Sequence, residues 1–370
     1  MTTNKWTVPY IELGKETEAL KKDYLKAFDK VLVSGHYIIG HELSNFENEF
    51  AEFCKSPLAL GVASGTDALY LVLKSLNLKE DDEVITAPNS FIASASSIAL
   101  AGAKPVFVDI GEDGNMDPEK LGSAINENTK VIMPVHLAGR PARMQEILEI
   151  ANKSNLFVLE DAAQAVGAQL NDKRVGSWGD AACFSLHPLK NLKAIGDGGM
   201  ITTKRKDLYN RLKIARSHGL VNREQCDFWS YNSRLDELQA SLLRIQIRQL
   251  EDYTEARREL AFRYNKLLKT YVVTPDEGPG EYCVYQTYVV LAEKRDALQQ
   301  YLIDNGVQAL VHYATPIHLQ PAAKYLGYTS SDFPKTMKHV SHIMSLPIYP
   351  SMTNQQQDTV VELIHDFYKN

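Results

Sequence analysis

The chain has 370 residues, 44% of them hydrophobic and 23% charged, and its formal net charge is −6. This composition is typical of a folded globular protein, and the interspersed acidic and basic residues argue against a nucleic-acid partner. The four cysteines lie far apart and form no CxxC pair, which argues against a structural zinc or a disulfide framework and favours a reducing cytoplasm. No secretory signal is apparent, and the most apolar segment, 91–103, is shorter than the roughly 20 residues of a membrane-spanning helix, so we expect no membrane association.

Short β-branched runs alternate with helix-like segments between residues 58 and 203. Strands are predicted over LALGV, EVITA, PVFVDI, KVIMPV, LFVLED, AACFSL and GMITT, and helices after Thr66, Ser90, Asp117 and Arg143. The alternation predicts an α/β fold with a mainly parallel central sheet flanked by helices. The strands are continuous apolar runs, as expected when both faces of a sheet are covered.

A second, smaller unit is predicted at the C-terminal end. Apolar residues at helical spacing, with no glycine or proline, predict one or two long helices between Asp236 and Lys269. Beyond them we expect a strand over VYQTYVVL, a helix over EKRDALQQYLIDNG, a strand over VQALVHY and a closing helix. The sequence therefore predicts a large domain over 1–248 and a small α/β domain over 249–370.

Ligands bind open α/β sheets at the C-terminal ends of the strands, so the residues at those ends are candidates for a site. ASGTDAL follows the first strand, and Thr66 is the predicted N-cap of the next helix. Free N–H groups at a helix start suit a phosphate, although an ordinary turn is the alternative. No GxGxxG follows a strand, so a dinucleotide fingerprint is not indicated.

Glu160 and Asp161 end the strand LFVLED. A carboxylate is costly to bury unless a cation or a hydrogen-bond donor meets it, so Asp161 needs a partner. The protonated ring nitrogen of a pyridine cofactor would serve, because an aspartate there keeps the ring cationic. An N-cap or a salt bridge is the alternative.

Two lysines follow Ser185 in FSLHPLKNLKAIGDGGM, residues 184–200. An amine in a partly apolar cleft has its charged form disfavoured, becomes nucleophilic and can form a Schiff base with an aldehyde. Ser185 is then a candidate for binding the phosphate of the same ligand. Residue type does not choose between Lys190 and Lys193, and either can instead be a surface charge.

Five motifs, SGTDAL, EDAAQ, FSLHPLKNL, GDGGM and NSRLDELQA, occur in an order and spacing that resemble the DegT/DnrJ/EryC1/StrS family of pyridoxal-phosphate (PLP) sugar aminotransferases. The resemblance covers nearly the whole chain. It implies the type I PLP-dependent aminotransferase fold, PLP as cofactor, and a homodimer with active sites at the subunit interface.

The resemblance also assigns roles to single residues. It implies that Lys190 forms the Schiff base, that Asp161 contacts the ring nitrogen and that Gln164 contacts the ring hydroxyl. It implies that Phe91 stacks on the ring and that the phosphate is bound by Gly65, Thr66 and Ser185. Asn232 is implied to reach the phosphate from the other subunit. His218, His312 and Tyr313 are candidate substrate contacts that can equally be structural. His187 is interpreted as local structure, and the ten histidines form no HxH or HExxH pattern, so no metal site is expected.

The function implied is transfer of an amino group from L-glutamate, which leaves as 2-oxoglutarate, to a dTDP- or UDP-linked keto sugar. The residues DGG at 197–199 and NSR at 232–234 resemble the branch that aminates carbon 3, which favours a 3-keto-6-deoxyhexose and a product used in a surface polysaccharide or a glycosylated metabolite. Amination at carbon 4 is the first alternative. A PLP-dependent sugar dehydratase, which the retained Lys190 disfavours, and a non-enzymatic PLP-binding regulator are the others.

Overall fold

Residues 6–369 are described by this computed structural model, and they form twelve β-strands and twelve α-helices. The strands are β1 (Leu58–Val62), β2 (Glu83–Thr86), β3 (Lys104–Phe107), β4 (Thr129–Ile132), β5 (Phe157–Asp161), β6 (Gln169–Leu170), β7 (Lys173–Arg174), β8 (Ala181–Ser185), β9 (Gly199–Thr203), β10 (Glu281–Tyr282), β11 (Tyr288–Leu291) and β12 (Ile343–Leu346). The helices are α1 (Leu13–Ser34), α2 (His41–Phe53), α3 (Gly65–Ser75), α4 (Ile92–Ala101), α5 (Pro118–Ala124), α6 (Met144–Lys153), α7 (Lys206–Ala215), α8 (Glu237–Ile247), α9 (Leu250–Leu268), α10 (Arg295–Asp304), α11 (Pro334–His342) and α12 (Asn354–Lys369).

The central sheet has seven strands in the order β1-β9-β8-β5-β4-β2-β3. Strand β9 runs antiparallel to both of its neighbours, β1 and β8, and the pairs from β8 to β3 are all parallel. The predicted mainly parallel sheet is therefore confirmed. Because the parallel strands run in one direction, their C-terminal ends meet at one edge, where ligands bind in such sheets.

Apolar layers cover both faces of the sheet. One layer joins α3 and α7 to the sheet through residues such as Leu60, Leu69 and Leu208. The other joins α2 and α8 to it through residues such as Phe50 and Phe184. Neighbouring residues of a strand point to opposite faces, which is why strands buried on both sides consist of continuous apolar runs.

A separate apolar core lies in the C-terminal part of the chain. Helices α9, α10 and α12 pack there against the antiparallel pair β11–β12. Val8 belongs to the same core, and its N–H donates to the carbonyl of Gly306 at 3.0 Å. The segment around Val8 thus packs with this unit, while the boundary between 248 and 249, which falls between α8 and α9, stays a prediction.

Two expectations about local structure need correction or completion. Helices α8 and α9 confirm the predicted helical region, but the strand expected over VQALVHY is wrong. Only single bridges form there, at Val307 and Leu310, because Ala309 N–H donates to Val307 O at 3.1 Å in a local turn that interrupts the ladder. The sequence interpretation also lacked α1, α2 and the small sheet β10-β6-β7.

Helix α1 leaves much of its apolar surface uncovered. Leu20, Tyr24 and Val31 are buried, whereas Leu25 and Val33 are 61% and 82% exposed. Phe28 and Leu32 on the same helix, and Tyr37, Ile38 and Ile39 after it, are also exposed. No helix in the described range 6–369 is long and apolar enough to span a membrane.

We predict that Gly199→Ala destabilises the fold strongly. A Cβ at this first residue of β9 would lie 2.2 Å from the backbone oxygen of Ser64, so the strand would have to move away from β1. The expected loss is about 1–3 kcal/mol or more in the free energy of unfolding, measured by urea denaturation.

The matched control for that substitution is Gly122→Ala. This exposed glycine lies in α5. Apart from its chain neighbours and the backbone of its own helix, no described atom lies within 4 Å of the place that a Cβ would occupy, so alanine is expected to be neutral or to stabilise by up to about 1 kcal/mol. Equal effects of the two substitutions would contradict the close approach of β9 to Ser64.

Candidate active site

A cavity of about 340 Å³ lies at the C-terminal ends of β1, β5 and β8. Its lining includes the start of α3, the acid at the end of β5 and the loop after β8, together with Tyr10, Gln286, Thr287, His312 and Tyr313 from outside the central sheet. The candidate residues from distant parts of the sequence therefore meet at the edge of the sheet where a ligand was expected.

The start of α3 forms one end of the cavity. Ser64 has an extended backbone, and its Oγ accepts a hydrogen bond from Asp67 N–H at 3.0 Å, so Ser64 is the N-cap. The expectation that Thr66 is the N-cap is wrong, because Gly65 and Thr66 are already the first helical residues. A Cβ on Gly65 would lie 2.8 Å from Ser185 Cβ, so only glycine lets the helix approach β8 this closely. The first N–H groups of a helix have no intrahelical acceptor, and here the helix begins beside Ser185, at the cavity.

Asp161 is buried at the cavity wall, with 4% of its surface exposed. Ser94 Oγ donates to its Oδ2 at 2.7 Å, and Ala163 N–H donates to its Oδ1 at 3.2 Å. Burial raises the pKa of this carboxyl, and the two donors and the Lys190 ammonium oppose that rise. The chain itself thus supplies the hydrogen-bond donors that a buried acid at the end of a strand requires, a hydroxyl and a backbone amide. Asp161 also lines the cavity.

Glu160 has a structural role. Its side chain accepts hydrogen bonds from the backbone N–H groups of Gly176, Trp178 and Gly179 at 2.9–3.0 Å and lies 3.1 Å from His136 Nε2. These contacts fix the chain between β7 and β8. The two adjacent acids therefore serve opposite faces of β5.

The two lysines differ in position. Lys190 lines the cavity, and burial lowers its pKa to about 8, although the Asp161 carboxylate acts to raise it. Lys193 is not among the described residues that line the cavity; its ammonium pairs with Glu16, and its backbone N–H and C=O both bind the Gln246 side chain. The geometry thus gives Lys190, and not Lys193, the surroundings of a reactive amine.

Gln164, Phe91 and Tyr313 lie around the same space. Gln164 Oε1 accepts from Ala138 N–H at 2.7 Å, and its Nε2 lies 3.5 Å from the Tyr313 hydroxyl. The rings of Phe91 and Tyr313 are 5.5 Å apart, and Phe91 is 49% exposed. Burial raises the pKa of Tyr313 to about 12, so its hydroxyl stays protonated and can donate.

The two histidines that line the cavity among the described residues, the candidate His312 and His187, are held locally. His312 Nδ1 lies 2.9 Å from Ser345 Oγ, and burial, together with the nearby Lys190, lowers the pKa of this imidazole. His187 Nδ1 accepts from Leu189 N–H at 3.2 Å, at the rim. Both rings thus have a structural partner and also line the cavity.

His218 and Asn232 lie elsewhere. Both are exposed and absent from the described residues that line the cavity of their own chain. They lie in one irregular segment pair, in which His218 N–H donates to Tyr231 O at 2.8 Å and Ser217 forms a bridge with Asn232. Within one chain the structure does not bring them to the other candidates. Across residues 6–369 no group of three or more histidine, cysteine or acidic side chains could hold a metal ion.

A sequence model described as the DegT/DnrJ/EryC1/StrS aminotransferase family matches residues 18–365. The chain belongs to this aminotransferase family. It is thus an enzyme of the transaminase class, and its α/β architecture is the one the family resemblance implied.

Two relatives match almost the whole chain. The "Pleiotropic regulatory protein" of Geobacillus stearothermophilus is 41% identical, over 98% of this chain and 99% of the relative. The dTDP-3-amino-3,6-dideoxy-alpha-D-galactopyranose transaminase of Aneurinibacillus thermoaerophilus is 40% identical, over 97% and 99%.

Solved structures agree with this family membership. S. venezuelae DesV in complex with a ketimine intermediate matches with a TM-score of 0.96 and 36% identity, over 98% of this chain and 99% of DesV. NtdA from Bacillus subtilis with bound cofactor PMP matches with a TM-score of 0.91 and 31% identity, over 98% and 85%. The type I aminotransferase fold expected for the family is confirmed.

Several residues that line the cavity of this protein were not predicted from the sequence. Ser94, which binds Asp161, follows Phe91 by three residues on the first turn of α4, so its position on a helix start after a strand was a usable signal. Tyr10, Gln286 and Thr287 carry no such signal, because only the folding of distant segments onto the sheet brings them to the cavity.

We predict that acetic anhydride at pH 8 acetylates Lys190 much faster than Lys193 in protein freed of bound small molecules. Amines react in the neutral form, which an amine with a pKa of about 8 reaches near this pH. Burial also lowers the pKa of Lys193, but Glu16 opposes that shift and holds the ammonium in an ion pair. Peptide mass spectrometry measures both rates, with the exposed Lys22 as reference. Faster acetylation of Lys193 would contradict the difference in their surroundings.

Proposed function

We propose that this aminotransferase uses PLP to move an amino group from L-glutamate to the keto group of a nucleotide-linked sugar. The observation that carries the proposal is the meeting of Lys190, Asp161 and the start of α3 in one cavity. An amine, a carboxylate and a phosphate-binding helix terminus are the three features that a phosphorylated pyridine aldehyde requires. The aminotransferase family supplies independent support.

The residues present fit PLP. Asp161, held from behind by Ser94 and Ala163, would accept a hydrogen bond from the protonated ring nitrogen. The N–H groups of Gly65 and Thr66 and the Ser185 hydroxyl would bind the phosphate. Phe91 would lie against the ring, and Gln164 would contact the ring hydroxyl. PLP, when bound, supplies an electron sink that stabilises negative charge on a substrate carbon.

Lys190 is the proposed proton carrier. An amine with a pKa of about 8 is partly neutral near neutral pH, so its Nζ can accept a proton from a substrate carbon and deliver it to a second carbon on the same face of the site. The Asp161 carboxylate faces it across the cavity and limits how far burial depresses its basicity. Lys193 takes no part, because its ammonium is bound to Glu16.

The proposed acceptor is a dTDP- or UDP-linked 3-keto-6-deoxyhexose. The name of the Aneurinibacillus relative, a 3-amino-3,6-dideoxy sugar transaminase, supports this substrate, as do the residues DGG and NSR at 197–199 and 232–234. His312 and Tyr313, which reach the cavity from the C-terminal part of the chain, are the proposed sugar contacts, and His218 is proposed to contribute from a second subunit. Amination at carbon 4 is the alternative, which analysis of the product distinguishes.

A homodimer with shared active sites is proposed as the working form. Exposed apolar side chains support this proposal, because exposed apolar patches mark interaction surfaces. They are Phe28 and Leu32 of α1, Tyr37, and Trp229, which is 93% exposed. Asn232, near Trp229 in sequence and outside its own cavity, is proposed to contact the phosphate in the partner's cavity. A cytoplasmic location remains a prediction from the separated cysteines.

Adding L-glutamate to the PLP-loaded protein should bleach the visible absorption of the cofactor as the nitrogen is transferred. Lys190→Ala should abolish this change and also the permanent attachment of PLP to the chain by sodium borohydride, which mass spectrometry detects. Lys193→Ala, the matched control, should retain both. Attachment at Lys193 would contradict the assignment, and a glutamate-insensitive native protein would favour a regulator, the activity in the name of the Geobacillus relative.

Mixing Lys190→Ala with Asn232→Ala chains tests the shared site. Asn232→Ala should weaken PLP affinity without altering the fold. If each site takes one residue from each subunit, subunit exchange gives mixed dimers with one intact site, and about a quarter of native activity should return. If the activity of the mixture does not exceed the sum of the activities of the two variants measured separately, the active sites are not shared between subunits.

A further inference from the structure

Two serines at the start of α4 line up behind the Asp161 carboxylate. Ser90 Oγ donates to Ser94 Oγ at 2.9 Å, and Ser94 Oγ donates to Asp161 Oδ2 at 2.7 Å. The three side chains are 3%, 1% and 4% exposed. We call this arrangement the serine relay.

The ionisation of Asp161 fixes the direction of the relay. A carboxylate can only accept, so Ser94 must give its single hydroxyl proton to Asp161. Ser94 can then only accept from Ser90. Each hydroxyl thus points its positive end toward the acid, and in a chain of this kind each bond polarises and strengthens the next.

We infer that Ser94, oriented by Ser90, is a positioning residue that holds Asp161 ionised and turned toward the ring nitrogen of PLP. The inference rests on the proposed role of Asp161. Burial raises the pKa of Asp161, and the Ser94 hydroxyl is the foremost opposing influence. Without that hydroxyl the acid would hold its own proton more tightly and support the charged ring less.

The relay belongs to the same turn that carries Phe91. Phe91 is the N-cap of α4, Ser90 precedes it, and Ser94 N–H donates to Phe91 O at 3.1 Å. One helix start thus sets both the aromatic side chain proposed to lie on the ring and the hydroxyl behind the acid.

Other charged or titratable groups also act on Asp161. They are Lys190 and His136, which lower its pKa, and Tyr313 and Cys183, whose own pKa values Asp161 raises. None of these is altered by a substitution at Ser94, so a change in the titration of the site in such a variant reports on the relay.

The test compares Ser94→Ala with Ser97→Ala in the full chain, titrated with PLP. Ser97 is on the same helix, is fully buried, and donates to the Ser94 carbonyl at 3.0 Å instead of to Asp161. Ser90 keeps an alternative acceptor, Phe91 O at 3.4 Å, so Ser94→Ala does not strand its hydroxyl. Both variants lose one buried hydroxyl, and thermal unfolding measures that shared structural cost.

Ser94→Ala should raise the dissociation constant of PLP by up to about tenfold, because an acid that holds its own proton more tightly binds the charged ring less well, and Ser97→Ala should leave it unchanged. The pH below which PLP affinity falls should move upward in Ser94→Ala alone, because the folded protein then protonates Asp161 at higher pH. Equal affinities and equal pH profiles for the two variants would overturn the inference.

A double-mutant cycle with Asp161→Asn separates this inference from the proposed function. If Ser94 acts through the acid, Ser94→Ala should add little to the loss already caused by Asp161→Asn. Additive losses would overturn the relay while leaving the role of Asp161 standing. Native PLP affinity and turnover in Asp161→Asn itself would overturn the role of Asp161, and with it the relay.

Discussion

The close approach of three strand ends is the constraint on which the site depends. At Gly65 a side chain would run into Ser185, and at Gly199 it would run into the Ser64 carbonyl. With hydrogen alone at both positions, the start of α3 lies directly beside the end of β8. The lysine loop that follows β8 is thereby held next to the helix N–H groups, and one compact ligand can contact an amine and an anion-binding terminus together.

Burial and mutual attraction act in opposite directions on the two charged groups of the cavity, Lys190 and Asp161. Burial lowers the pKa of Lys190 and raises that of Asp161, and each group partly restores the charge of the other. Neither is tied into a close ion pair as Lys193 is with Glu16. A ligand that brings a cationic nitrogen to Asp161 and an aldehyde to Lys190 therefore meets a carboxylate and an amine that are not held in such an ion pair. Perturbed titration of this kind concentrates at functional sites.

Sequence reasoning recovered the sheet because its strands are buried on both faces and consist of continuous apolar runs, a pattern that needs no knowledge of partners. It also singled out Asp161, because a buried acid at the end of such a strand needs a partner, and the structure places this residue at the cavity wall. Residue type alone did not choose between Lys190 and Lys193. The feature that distinguishes their surroundings is Glu16, which pairs with Lys193 from more than 170 residues away in sequence. Ser64 displaced Thr66 as N-cap because backbone conformation, not residue type, decides where a helix begins.

The long-range contacts of Val8 and Tyr10 bear on the order of folding. Val8 pairs with Val307 in the C-terminal core, and Tyr10, whose N–H binds the Gln308 side chain at 3.0 Å, lines the cavity. Contacts that span some 300 residues close a very long loop and form late. During synthesis from the N-terminus, the sheet edge with Lys190 is made long before residue 307 leaves the ribosome. The cavity therefore acquires its last wall only after residues 307 and 308 have been made, so a chain stalled before them presents an open, unfinished site.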